Sequence, residues 1–300
     1  MTTHLTMIFH SKKETPLISF ITSKTIYFLT LITLLFSVNL NIKAKSANKI
    51  QAMAKEHSFV LEEIDVGDFV ITSYQKIQQP ELKEVVFYIE GDGRAFSNGF
   101  PSEDPTPSQH LLFPLMTLDK RPNIIYLARP CQYTEKSKNT KCNNSFYWAS
   151  GRLGEEVVKA SKLAIDKIAQ NKNYHLVGYS GGGGMAVLVS AIDSSKVLSI
   201  TTIAGNLDLN KFKELHSIRP LFGPWKTYID DSLNPLDYTD KLRHIKQIHF
   251  SGKKDTIVPP IIAENFVKKS NSSQVKQVII PKADHVDNWT QVWNAFLLGN

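Results

Sequence analysis

The sequence predicts an α/β fold built on a doubly wound, mostly parallel sheet, and two observations carry this. Six short β-branched or aromatic runs ("EVVFYIEG", "NIIYLARP", "YHLVGYSG", "VLSITTIAG", "IKQIHFSG" and "VKQVIIPK") are apolar on both faces, as strands buried in a parallel sheet must be. Helical segments sit between them, and strand–helix alternation with right-handed crossovers is the doubly wound arrangement. A chain of 300 residues with 42% hydrophobic content is long enough for one large domain. It shows no repeat at solenoid or propeller spacing.

The elements follow in order. Residues 1–46 hold Lys12, Lys13, Lys24, Lys43 and Lys45 against Glu14 alone, and residues 25–42 carry no charge. A basic start, an apolar run and small residues near Ala44 and Ala47 read as a secretory signal peptide. About 18 uncharged residues also reach the lower edge of a membrane span, so an uncleaved N-terminal anchor is the alternative. Either reading puts residues 47–300, one domain, outside the cytoplasm. It also makes a membrane an expected partner through the N-terminal segment. No cysteine follows the apolar run closely, which excludes bacterial lipidation there. The net charge of +7 is largely this segment's, since only +3 remains for the rest. No Lys/Arg stripe interleaves with aromatics, so nucleic acid is not an expected partner.

Residues 43–57 read as a polar linker. "SFVLEEI" and "DFVITSYQKI" predict an antiparallel edge hairpin turning at Gly67. Cys131 and Cys142 bracket a short polar segment. In an exported chain one disulfide is the simplest reading, with two buried thiols the alternative. Two cysteines without clustered histidines make no zinc site, and no metal or cofactor is expected. Residues 151–170 have apolar positions at helical spacing. "MAVLVSAI", "IIAENFVKKS" and "TQVWNAFLLG" predict three further helices. Residues 206–242 exceed a plain loop and carry Phe212, Phe222, Trp225 and Tyr228, which predicts a short lid or cap.

Chemistry in such a sheet gathers at the carboxyl ends of the strands. Ser180 follows "HLVGY" in the pattern Gly178-Tyr179-Ser180-Gly181-Gly182, or G-x-S-x-G, a sharp strand-to-helix turn that exposes a serine hydroxyl. The motif alone is weak, but between a buried strand and a helix it is strong. A nucleophilic serine needs a base and the base an orienting acid. Asp255 stands after "IKQIHFSG" and His285 after "VKQVIIPK". Asp208, Asp284 and Asp287 are rivals for the acid. His175 and His249 lie within strands and read as buried structural residues, whereas His110 and His244 read as surface residues.

The chain from about Glu84 onward resembles the α/β-hydrolase-fold serine hydrolases, in particular exported or membrane-tethered bacterial ones. "YIEGDGRAF", "LARPCQY", "GYSGGG", "SLNPLDY", "SGKKDTIVPP" and "ADHVDNW" carry the resemblance. It implies Ser180 as nucleophile, His285 as base and Asp255 as orienting acid, acting on a small-molecule ester or acyl substrate. An inactive binding protein on the same fold, or an acyltransferase, is the alternative. The oxyanion hole would join the Gly181 N–H to one from "EGDG", with Asp92 first and Gly91 or Gly93 as the other candidates. Glu90 and Asp92 bring negative charge there, so their carboxylates are expected to turn away and pair with Arg94, Arg129 or backbone. Arg129, Tyr133 and Tyr179 are candidate substrate-lining residues, with a loop-tying salt bridge the alternative for Arg129.

Overall fold

The computed structural model describes residues 48–216 and 231–299. The expected signal peptide or anchor over 1–46 and the middle of the expected lid, 217–230, lie outside the described residues. Among the described residues no helix is long and apolar enough to cross a membrane.

Residues 48–56 are helical (α1), where a polar linker was expected. Ile50, Met53 and Ala54 fall at i, i+3 and i+4, and Ile50 and Ala54 are buried. The edge hairpin follows as β1 (Val60–Asp65) and β2 (Val70–Ile77), turning through Gly67 at φ +88°. Next come β3 (Glu84–Ile89), a two-rung hairpin β4 (Phe96–Ser97) and β5 (Phe100–Pro101), α2 (Leu112–Thr117) and β6 (Asn123–Leu127). The second half runs α3 (Glu155–Ala169), β7 (Asn173–Tyr179), α4 (Gly181–Ile192), β8 (Val197–Ile203), α5 (Leu209–Leu215), α6 (Thr239–Leu242), β9 (Lys246–Gly252), α7 (Ile261–Ser270), β10 (Val275–Ile280) and α8 (Thr290–Leu298).

Among the described residues eight strands form one sheet, in the order β1-β2-β6-β3-β7-β8-β9-β10. β1 and β2 are antiparallel, β2 joins β6 antiparallel, and the pairs from β6 to β10 are parallel. Alternation along β3 explains the two layers. Phe87 and Ile89 point into the core under α3, α4 and α7, with Val158, Leu188 and Phe266. Val86 and Tyr88 point into the other core, with Ile50, Phe113 and Trp293 of α1, α2 and α8. Both faces of the central strands are covered, hence their apolar runs, whereas β10, expected to be buried alike, is an edge strand that leaves Val278 and Ile279 exposed.

The order reverses at β3, which lies between β6 and β7. Crevices open at such a point beyond the carboxyl ends of the strands. The expected disulfide, Cys131–Cys142, closes the loop after β6 with Cα atoms 5.3 Å apart. Within the expected lid, α5 borders the crevice, whereas Pro235 and Leu242 are buried in the body of the domain.

Candidate active site

Ser180 ends β7 and begins α4, with φ 51° and ψ −121°, a region that non-glycine residues rarely occupy. Three hydrogen bonds pin the turn. Its N–H donates to the Ile203 carbonyl (3.0 Å), and its carbonyl accepts from the N–H groups of Gly183 and Asn206 (2.9 Å each).

The glycines around Ser180 are explained by contact. A Cβ on Gly178 or Gly182 would strike backbone, that of Gly182 in the first case and of Ile89 and Glu90 in the second. A Cβ on Gly183 would lie 2.7 Å from the Gly205 Cα, and one on Gly184 2.7 Å from the Asn206 carbonyl oxygen. Helix α4 therefore lies against β3 and the loop after β8 with no room for side chains in its first turn.

His285 and Asp255 meet as expected from separate strand ends. His285 Nδ1 lies 2.8 Å from Asp255 Oδ2, and the Asp255 side chain is fully buried. Asp255 Oδ1 accepts the N–H groups of Ile257 and Val258 (2.8 Å each), which fixes the carboxylate. A carboxylate on Nδ1 assigns the proton there and leaves Nε2 as acceptor. The Tyr179 hydroxyl donates to the His285 carbonyl (3.2 Å), and the two rings are 5.3 Å apart. Two of the three rival acids are engaged elsewhere. Asp208 caps α5 through Lys211 N–H and accepts from Asn265, while Asp284 caps its own loop.

Ser180, Tyr179 and His285 line one cavity of about 740 Å³. Phe96, Phe100, Phe212, Ile257, Val258 and Val286 give it an apolar wall. Ser180 and His285 form no hydrogen bond with each other, and such bonds commonly tighten only when substrate binds.

In the "EGDG" loop the carboxylates pair with backbone and Arg129 as expected, but Gly91 and Asp92 depart from expectation. The Gly91 N–H donates to its neighbour's carboxylate, Glu90 Oε1 (2.8 Å), so it is not available to an oxyanion. Glu90 is 2% exposed and also accepts from the Tyr126 hydroxyl (2.6 Å); burial holds its carboxyl above the ordinary range. Asp92 does not turn away. Its carboxylate packs over Gly181, where a Cβ would strike it, and lines the cavity. Two guanidinium groups hold it, Arg129 Nη1 on Oδ1 (3.1 Å) and Arg152 Nε on Oδ2 (2.8 Å). Among the described residues the Asp92 N–H has no acceptor, and the Gly181 N–H begins α4 beside it.

Arg129 is thus not a substrate-lining residue. It is 4% exposed, bonds Asp92 and the Arg152 carbonyl, and lies behind the cavity wall. Tyr133 also lies outside that wall, its hydroxyl facing those of Tyr126 (3.4 Å) and the ring of His110 (3.3 Å). His110 is buried against it rather than on the surface. His175 and His249 sit in strands and contact Ser199 and Thr202 (2.8 and 2.9 Å). Arg152 was missed: it precedes α3, 60 residues beyond Asp92 in sequence, and no local pattern marks it. Among the described residues no group of three or more His, Cys, Asp or Glu side chains is arranged to hold a metal ion.

A mostly parallel sheet carrying a serine at a positive-φ strand-to-helix turn, with an acid and a histidine joined at later strand ends, has the α/β-hydrolase fold. No protein-family model matches the chain, and no curated protein matches it. Solved structures do. Est1E from Butyrivibrio proteoclasticus is 15% identical with a TM-score of 0.54, covering 80% of this chain and 98% of that one. The Pyrococcus furiosus esterase Pf2001 is 13% identical with a TM-score of 0.55, covering 82% and 90%. A puromycin-hydrolyzing peptidase from Mycobacterium tuberculosis is 17% identical with a TM-score of 0.54, covering 80% and 37%. At these identities the likeness is one of fold.

Proposed function

We propose that the protein is a serine hydrolase that cleaves a carboxylic ester, or a related thioester or amide, through an acyl-enzyme on Ser180. The observation that carries this reading is the His285–Asp255 hydrogen bond at the wall of the cavity that Ser180 lines. With Nδ1–H donated to Asp255, His285 Nε2 can take the Ser180 proton as Oγ attacks the substrate carbonyl. The resulting oxyanion would accept the Gly181 and Asp92 N–H groups. Collapse expels the alcohol, which takes the proton back from His285 and leaves an acyl–Ser180 ester. Water, deprotonated by His285, then releases the acid and restores the serine. Esters stand first by analogy with the esterases of this fold.

The reading extends to location. The basic and apolar composition of residues 1–46, together with a disulfide, supports export. Hydrolysis of p-nitrophenyl acetate tests the chemistry. Asp255→Asn should lower kcat by about 10³- to 10⁴-fold through loss of the productive imidazole tautomer, and Ser180→Ala should remove the acyl-enzyme. A folded wild type inert toward activated esters, thioesters and amides would sink the proposal.

A further inference from the structure

The cavity wall holds polar groups that the acyl-transfer steps leave unused. Arg152 is 4% exposed; its Nε serves Asp92, its Nη1 serves the Ala149 carbonyl (3.2 Å), and its Nη2 makes no hydrogen bond among the described residues. Asn206, 2% exposed, lines the same cavity, and its buried Oδ1 has no hydrogen-bond partner among the described residues. The two segments flank the first turn of α4: a Cβ on Gly184 would lie 2.7 Å from the Asn206 carbonyl oxygen and 3.1 Å from Leu153 Cδ1. Arg94 is half-buried on the wall, and its guanidinium has neither an ion-pair nor a hydrogen-bond partner among the described residues.

The acids in the described wall do not cancel these cations. Glu90 makes no guanidinium hydrogen bond and accepts from the Gly91 N–H and the Tyr126 hydroxyl, but its charge bears on Arg129. Asp92 faces both Arg129 and Arg152, so with both acids ionised Glu90 and Asp92 balance those two guanidinium groups and Arg94 leaves one positive charge in excess. A buried guanidinium with a spare N–H pair, beside an amide able to present either its oxygen or its NH₂, is a site for an anionic oxygen group. In a partly dehydrated cavity such a pairing is far stronger than in water. The opposite wall, with Phe96, Phe100 and Phe212, suits apolar matter.

Resting on the hydrolase reading above, we infer that the substrate is an ester carrying an anionic oxygen group, a carboxylate or a phosphate. Arg152 and Asn206 receive that group and Arg94 stands at the approach. A plain uncharged ester leaves these donors unsatisfied, so the site discriminates against it.

Matched substrate pairs test the inference. The anion is on the acyl side in p-nitrophenyl hydrogen glutarate against p-nitrophenyl pentanoate. It is on the alcohol side in 4-acetoxybenzoate against its methyl ester. The phosphate arm compares monoacetylglycerol 3-phosphate with monoacetylglycerol. In at least one pair kcat/KM should favour the anion by about tenfold or more, as expected for a charge-assisted hydrogen bond. That preference should shrink toward unity in Arg152→Gln and Arg94→Gln and persist in Arg94→Lys. The exposed-side variant Arg94→Gln keeps the test informative should Arg152→Gln fail to fold. No preference in any pair overturns the inference, as does a preference that survives both glutamine variants. Labelling of Ser180 by a neutral fluorophosphonate separates the two readings. A labelled enzyme without anion preference refutes the substrate class alone, and a folded but unlabelled one refutes the hydrolase.

Discussion

Ser180 holds a backbone conformation that costs a non-glycine residue about 1–3 kcal/mol. Glycine adopts it freely, so Ser180→Gly should raise the midpoint of urea unfolding by an amount worth about 1 kcal/mol while removing activity. Ser180→Ala keeps the strain and should not gain. Equal midpoints for the two variants would show that the turn stores no strain. The neighbouring glycine has the opposite sensitivity. Gly182→Ala drives a Cβ into the carbonyl oxygens of Ile89 and Glu90, which are backbone and cannot swing aside. It should cost about 1–3 kcal/mol, and an unchanged urea midpoint would contradict the packing account.

At the scale of elements, the loop after β6 supports the loop after β3. Gln132, next to Cys131, donates through Nε2 to the Gly91 carbonyl (2.9 Å) and accepts the Arg129 N–H through Oε1 (3.1 Å). The disulfide therefore braces the segment that presents the Asp92 N–H. Replacing both cysteines by alanine should lower stability by about 3 kcal/mol, the loop-closure value for a ring of this size. It should also lower kcat more than it raises KM, because the oxyanion contact proposed for that N–H forms in the transition state. Activity unaffected by the double replacement would separate the two loops.

At the scale of the whole molecule, the strands were legible because β3 and β6 to β9 are buried on both faces and their sequences run apolar without alternation. Helix α1 was hidden by its shortness and polar flanks, and α2 by a single apolar turn with Pro114 inside it. Candidate positions at strand ends, Ser180, Asp255 and His285, follow from the same alternation of elements. The oxyanion side was less legible. Whether Gly91 or Asp92 has a free N–H depends on how the Glu90 side chain bends, and Arg152 reaches Asp92 only through tertiary folding.

Buried histidine makes the fold sensitive to acid. Burial lowers His249 to about 3 from an ordinary 6.5, and burial also lowers His175. The unfolded chain then binds more protons than the native one between those values, so stability falls as pH drops from about 6.5 toward 3. The slope approaches about 1.4 kcal/mol per pH unit for His249 alone. His249→Gln, which keeps a partner for Thr202, should flatten that part of a melting-temperature profile. An unaltered profile would show that His249 does not carry the effect.

The central claim is that Ser180 becomes covalently acylated with help from His285. Intact-mass measurement after treatment with a neutral fluorophosphonate tests this most directly. One adduct per chain is expected, mapped to the peptide containing Ser180, absent in Ser180→Ala and strongly slowed in His285→Ala. Full modification of Ser180→Ala, or none of the folded wild type, would contradict it.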